Sequence, residues 1–284
     1  MITLVTGANG QLGKTIQSIV KNKSEFIFTD INSLDITKKE KIESVIISND
    51  IKCIVNCAAY TDVDGAEIEK EKADELNDNA IKNLVEISKN YKIRLIHIST
   101  DYVYNGVNKS AISEHEYVDP QNYYGLSKLN GEKHIENSIT ESIVIRTSWL
   151  YSSFGKNFVK NILEKGRSKN LLKVVGDQYG CPTNAYDLAD AIIRIVKTKD
   201  KIDKESKIFN FSNLGYTSWF EFAKFLLKEI NFNCSLEEIK TNEIRQLSKR
   251  PKFAITDKTK IISVFNLEIP HWKESLKKFL KNRK

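Results

Sequence analysis

The chain has 284 residues, 40% of them hydrophobic and 29% charged, with only four prolines. That is the composition of a soluble globular protein, long enough for one large α/β domain or one and a half domains around a substantial core. The net charge of +7 invites a nucleic-acid reading, but only seven of the 44 basic residues are arginine and the lysines are scattered, so the forked donors of a base reader are missing. A mild positive field suits an anionic small substrate instead.

No apolar run approaches the roughly 20 residues of a membrane span. "ITLVT" at the N-terminus is too short for a signal peptide and runs straight into glycines, so a cytoplasmic protein is expected. Cys53 and Cys57 fall in "IKCIVNCAAY", which reads as a buried strand; with Cys181 and Cys234 they show no zinc or redox spacing. His97, His115, His134 and His271 show no ligand spacing, and no bound metal is expected.

In chain order, "ITLVT" is a strand, "TGANGQLG" a glycine-rich turn and "QLGKTIQSIVKN" a helix. Then come "EFIFTD" (strand), "TKKEKIESVIIS" (helix), "CIVNCAA" (strand), "EKADELNDNAIKNLVEISKN" (one long helix), "IRLIHIST" (strand), a helix through Tyr124, and "SIVIRTSWLY" (strand). Apolar strands alternating with helices predict an α/β fold with a doubly wound parallel sheet. Past residue 150 the alternation loosens. "GDQYGCPTNAYDLADAIIRIV" is a loop feeding a helix that returns to the sheet, "KIFNFSN" one more strand, and "TSWFEFAKFLLKEI" a helix capped by Thr217 or Ser218. The remainder reads as a helix-rich tail. The expected division is a dinucleotide-binding domain over 1–150 with a returning segment at about 184–212, and a smaller lobe from 151–183 and 213–284.

Gly7, Gly10 and Gly13 follow the first strand and open the first helix. They permit a tight turn and close approach of a pyrophosphate to the helix N-terminus. Asp30, 17 residues past Gly13, ends the second strand, where a carboxylate accepts from adenosine-ribose hydroxyls and repels a 2′-phosphate; nearby Lys38 and Lys39 leave NADH against NADPH open. Asp35 and Ile36, opening the next helix, suit an adenine edge. Both aspartates also have a plain reading as turn or cap residues.

In "NYYGLSK", Tyr124 and Lys128 stand one helical turn apart. A phenol with an ordinary pKa near 10 exchanges protons poorly at neutral pH, and a neighbouring cation lowers that value. Ser99, Thr100 and Asp101 end the strand "IRLIHIST", the edge at which open α/β sheets bind ligands, and a hydroxyl there can meet a substrate carbonyl.

Together "TGANGQLG", "CAAYTDVDGAE", "STDYVY", "YYGLSKLNGE", "IRTSWLY", "GDQYGCPT" and Arg250–Pro251 resemble the extended short-chain dehydrogenase/reductase family over residues 1 to about 260. The resemblance implies a Rossmann sheet with a smaller substrate lobe. It implies a nucleotide-sugar 4-ketoreductase that reduces the C4 ketone of dTDP-4-dehydro-L-rhamnose to dTDP-L-rhamnose with NADPH or NADH, as a monomer or homodimer. By resemblance Thr100 holds the C4 oxygen, Tyr124 protonates it, and Lys128 binds the nicotinamide ribose and tunes Tyr124. Gly10, Gln11 and Leu12 meet the pyrophosphate, and Ala59, Tyr60 and Thr61 the nicotinamide side. Asp101 contacts the sugar, Trp149 lines its pocket or only packs, and Arg250 meets the diphosphate or only solvates the tail. The chain departs from the family at Tyr104, where phenylalanine is usual and the change is expected to be mild, at Ser152 for a glycine, and at Ala254 for a small hydroxyl residue. Related 4,6-dehydratases carry a glutamate after the aspartate; here Tyr102 follows Asp101, so that base is absent. Another nucleotide-sugar reductase, a 4-epimerase or a non-catalytic regulatory subunit like that of methionine adenosyltransferase is the rival reading.

Overall fold

The computed structural model describes residues 1–107, 109–138, 140–198 and 207–282. Six parallel strands form the main sheet: β1 (Ile2–Thr6), β2 (Phe26–Phe28), β3 (Ile51–Asn56), β4 (Arg94–Thr100), β5 (Ser142–Thr147) and β10 (Ile208–Phe211), in the order β10-β5-β4-β3-β1-β2. Alternate residues point to opposite faces. Leu4, Ile54, Leu95 and Val144 bury against α2 (Lys39–Asn49), α5 (Ala80–Tyr91) and α6 (Tyr123–Glu136). Val5, Val55, Ile96 and Ile145 bury against α1 (Gln11–Ile19), α8 (Ala185–Lys197) and α10 (Thr259–Phe265). Both faces are covered, so the residues facing these layers are apolar, and the polar strand residues that are buried, such as Asn56, His97, Arg146 and Asn210, find hydrogen-bond partners. The segment that returns to the sheet is α8 and β10; its residues 199–206 lie outside the described residues, as do 283–284 of the tail.

The expected long helix after β3 is interrupted. Following α3 (Gly65–Ile68) and α4 (Lys70–Asp74), residues Glu75–Asn79 make a π turn before α5 begins. Asn77 in that turn is fully buried; its Nδ2 donates to Tyr60 O (3.0 Å) and Ser127 Oγ (3.0 Å), and its Oδ1 accepts from Tyr60 N (2.9 Å). The wide turn, common at functional sites, aims this amide at the loop after β3.

The smaller lobe centres on α7 (Phe158–Ser168), α9 (Trp219–Glu229) and α11 (Trp272–Asn282), whose Val159, Ile162, Phe222, Leu226, Leu276 and Phe279 form its core. Ser218 caps α9 by accepting from Glu221 N (3.1 Å). The tail is less helical than expected. β12 (Ser235–Ile239) pairs with β7 (Leu171–Val175), and β13 (Phe253–Ala254) joins β8 (Tyr179–Gly180) and β11 (Thr217–Ser218). β6 (Leu150–Tyr151) and β9 (Thr183–Asn184) pair beside the main sheet. Among the described residues, no helix is long and apolar enough to cross a membrane, and no group of three or more His, Cys, Asp or Glu could hold a metal ion.

Candidate active site

A cavity of about 510 Å³ opens at the carboxyl ends of the strands, where strand order reverses around β1. Of the residues singled out from sequence, Gly7, Gly10, Gln11, Leu12, Asp30, Asp35, Ile36, Ala59, Thr61, Thr100, Asp101, Tyr124, Lys128 and Trp149 line it. Gly13, Tyr60 and Arg250 do not line it.

The glycine turn is built for close backbone packing. Gly7 takes φ +64°, and a Cβ there would meet Ala58 N at 2.5 Å. A Cβ on Gly13 would strike Gly7 O at 2.5 Å, so Gly13 serves the packing of α1 on the turn rather than the cavity. Gly10 is the N-cap of α1 and brings no side-chain acceptor. The N–H groups of the first turn therefore keep their bonding capacity for a group on the cavity side, as a pyrophosphate needs. Gln11's side chain is already used: its Oε1 accepts from Asn157 Nδ2 (2.9 Å), so only its backbone serves the cavity.

Asp35 does not open a helix. Its Oδ1 accepts from Thr37 N (3.0 Å) and Thr37 Oγ1 (2.8 Å), a local turn that holds the chain out of helix until Lys39. Leu34 and Ile36 are buried beside it as an apolar wall. Lys39 is turned away onto Glu86 at 2.5 Å. Cys57 lies past the end of β3, half-buried on the cavity wall rather than within a buried strand. Tyr60 is held in the loop by Asn77 through its backbone and by Glu69 through its hydroxyl (2.7 Å), which carries its ring off the cavity.

The end of β4 brings Thr100 and Asp101 against α6. Thr100 and Tyr124 both line the cavity; the Thr100 hydroxyl donates to Asp101 Oδ1 (3.2 Å) and accepts from Tyr102 N (3.2 Å). Asp101 is buried; its Oδ2 has no partner, and burial pushes its carboxyl up to about 7. Tyr124's phenol is pushed up by burial, and by the nearby Asp101 charge, against a smaller lowering from Thr100. The lowering expected from sequence is not met in the ligand-free chain, because desolvation outweighs the favourable contacts. Lys128 is buried and donates to Ile98 O (2.7 Å); burial draws its ammonium down to about 8.

Trp149 takes φ +44°, rare for a bulky residue, and its indole stacks on Trp219 with centroids 3.4 Å apart and planes 9° apart. A Cβ on Gly180 would come within 2.6 Å of the Trp149 ring, so the glycine of "GDQYGCPT" is the floor under this indole. Trp219 and Tyr102 also line the cavity. Sequence reasoning missed both as site residues: Trp219 reads as ordinary amphipathic helix, whereas the place of Tyr102, next to Thr100–Asp101, was a usable signal. Arg250 stands behind Tyr102, 3.4 Å from its hydroxyl, and pairs with Asp64 at 3.1 Å. Ser152 donates to Phe154 O (2.8 Å) within its own loop, and Ala254 packs at 3% exposure in β13, so neither departure touches the cavity.

A doubly wound sheet with this turn after β1, and a Tyr-x-x-x-Lys helix against the end of β4, defines the class of the extended short-chain dehydrogenases/reductases, proteins that bind NAD(P)H. Within it, residues 1–284 match the family model described as the RmlD substrate binding domain, and the chain belongs to that family. It is 34% identical over 284 residues to the dTDP-4-dehydrorhamnose reductase of Aggregatibacter actinomycetemcomitans, covering 96% of each chain. It is 33% identical to the spore coat polysaccharide biosynthesis protein SpsK of Bacillus subtilis (strain 168), covering 99% of this chain and 97% of the relative. Among solved structures, the dTDP-4-dehydrorhamnose reductase of Bacillus anthracis in complex with NADP superposes with a TM-score of 0.93 at 34% identity, over 99% of each chain.

Proposed function

We propose that this chain reduces the C4 ketone of dTDP-4-dehydro-L-rhamnose to dTDP-L-rhamnose, using NADPH or NADH. The observation that carries this reading is the set of Thr100, Tyr124 and Lys128 beside the glycine turn in one cavity, on a chain whose relatives bear that reductase name.

The residues divide as follows in this reading. Gly7, Gly10 and the backbone of Gln11 and Leu12 hold the pyrophosphate. Asp30 takes ribose hydroxyls, with Asp35 and Ile36 at the adenine, and Ala59 and Thr61 flank the nicotinamide. The reduced nicotinamide supplies the hydride. Thr100 and Tyr124 aim their hydroxyls at the ketone oxygen, where charge develops, and the Tyr124 proton neutralises it. Its raised pKa keeps the phenol protonated at neutral pH, so the proton is in place before the ketone oxygen gains charge. The unpartnered Asp101 Oδ2 is the acceptor that a sugar hydroxyl would satisfy. Trp149 walls the sugar, and Arg250 acts only through Tyr102. Residues 1–150 with 184–212 form the cofactor domain, and the remainder the substrate lobe. The protein works in the cytoplasm on a nucleotide sugar, as a monomer or homodimer.

The test supplies dTDP-4-dehydro-6-deoxyglucose with a 3,5-epimerase and follows loss of reduced-nicotinamide absorbance. Wild type turns over, and Tyr124→Phe loses about 10²- to 10⁴-fold in rate while still binding cofactor. No turnover with either nicotinamide, despite cofactor binding, overturns the reading.

A further inference from the structure

Strand β4 carries a buried titratable side chain with no part in the reading above. His97 is fully buried, three residues before Thr100. Its Nε2 lies 3.2 Å from Lys128 Nζ, and its Nδ1 lies 3.0 Å from Asn56 Nδ2.

The direction of these bonds follows from fixed donors. The Ala58 backbone N–H can only donate, and it donates to Asn56 Oδ1 (3.2 Å). The Thr6 hydroxyl donates to the same oxygen (2.6 Å). The amide oxygen is thereby placed, and the amide nitrogen faces His97. An NH₂ group only donates, so Nδ1 accepts. A neutral imidazole whose Nδ1 accepts carries its proton on Nε2. That N–H points at Lys128 Nζ. An ammonium has no lone pair to receive it, and a neutral amine has one. Lys128's bond to Ile98 O is available in either state, so only the amine form satisfies every partner.

We infer that His97 is a positioning residue that donates its Nε2–H to Lys128 and thereby favours the amine form of that lysine. The inference rests on the proposed reduction, with Tyr124 as its proton donor and Lys128 as the lysine that tunes it. The groups facing the lysine agree with it. Glu132, one turn along α6, raises the lysine's pKa, but its carboxylate is tied to Arg146 of β5 at 2.6 Å. Cys57, beyond β3, is pushed up to about 12 by burial and stays a neutral thiol; the Tyr124 phenol, on the same helix, is likewise neutral. Burial holds His97 well below its ordinary 6.5, so it is neutral at working pH. Asp101, on the far side of Tyr124, titrates at about 7.

The consequence is a lysine that can part with a proton. Each turnover breaks the Tyr124 O–H bond and leaves a phenolate. The phenolate regains its proton as an N–H bond of the Lys128 ammonium, one helical turn away, breaks. The lone pair left on nitrogen is received by His97 Nε2–H, and solvent later restores the ammonium. A lysine pKa below the ordinary 10.4 makes that transfer to the phenolate more favourable still.

The test is NMR of ligand-free protein with ¹⁵N-labelled histidine, the His97 signal being the one lost in His97→Gln. The ring should carry its proton on Nε2, stay neutral well below pH 6.5, and show a chemical-shift transition with a midpoint at about 8 that Lys128→Met abolishes. A proton on Nδ1, a ring titrating at its ordinary value, or no Lys128-dependent transition overturns the inference. In the reductase assay, His97→Leu removes the Nε2–H donor while keeping the site buried. The alkaline limb of the rate profile should then move up by about one unit, tenfold in the ionisation constant. A merely structural role lowers the rate equally at every pH. The NMR result stands apart from turnover, so failure of the proposed reaction and failure of this inference are distinguishable.

Discussion

Removing one hydroxyl, in Tyr104→Phe, should destabilise this protein well beyond what a family preference for phenylalanine suggests. Tyr104 is 1% exposed. Its hydroxyl donates to Asn210 Oδ1 (3.0 Å) and accepts from Arg146 Nη1 (2.9 Å). Arg146 in turn grips Glu132 through Nε (3.1 Å) and Nη2 (2.6 Å), in a pair that is itself buried. Phenylalanine keeps the ring and its apolar contacts. It leaves a charged donor short of one bond, worth about 1.5–3 kcal/mol, and a buried amide oxygen without its donor. The expected loss is about 2–3 kcal/mol, or about 4–12 °C in Tm at the 2–4 °C per kcal/mol of large domains. Urea unfolding at pH 7 measures it, read from the midpoint at unchanged slope. Tyr123→Phe is the control: that hydroxyl donates to Asp74 Oδ2 (2.6 Å) at a half-buried site, and its loss should cost under about 1 kcal/mol. A Tyr104→Phe cost within about 0.5 kcal/mol of zero, or equal to the control, refutes the reasoning.

Asp101 makes stability depend on pH in an unusual direction. Its folded pKa of about 7 lies above the ordinary 3.8, so between those values the native state holds a proton that the unfolded chain has lost. Stability therefore falls as pH rises through that window, by roughly 4 kcal/mol. Asp101→Asn should be more stable than wild type at pH 8, with the advantage gone by pH 4; an equal difference at both pH values in urea unfolding counts against a buried, unpaired carboxylate. Asp30→Asn should raise the ratio of NADPH to NADH efficiency about tenfold, about 1.4 kcal/mol of relieved repulsion; an unchanged ratio removes Asp30 from the ribose. Gly180→Ala should displace the Trp149 indole and raise the substrate KM at least several-fold with cofactor affinity unchanged, and an unaltered KM means that this ring does not wall the sugar.

What could be read from the sequence was local. The turn at Gly7–Gly13 announces itself because an apolar strand, a glycine series and an amphipathic helix follow one another without a gap. The Tyr124–Lys128 spacing is legible for the same reason. Asp35 misled because an aspartate before a helical pattern looks like a cap; the bond to Thr37 that makes it a turn is equally local but competes with the cap on even terms. The burden on Tyr104 was illegible, since its partner Asn210 lies 106 residues away and the hydroxyl looked superfluous. So was Trp219, whose ring meets Trp149 only once the smaller lobe folds over the sheet. The amine-favouring contact of His97 depends on Thr6, Asn56 and Ala58, brought together by two neighbouring strands, and no spacing along one segment encodes it.

The π turn at Glu75–Asn79 also bears on how this chain tolerates changes of length. A π turn holds one residue more than an α turn. Deleting a single residue there would let α4 and α5 run together as one regular helix, with a more complete backbone ladder than the protein now has. The same deletion would swing Asn77 away from Tyr60 and Ser127 and release the loop carrying Ala59 and Thr61 from the cavity edge. A frame of the same fold, with a better-formed helix and an unmoored site, thus lies one codon away.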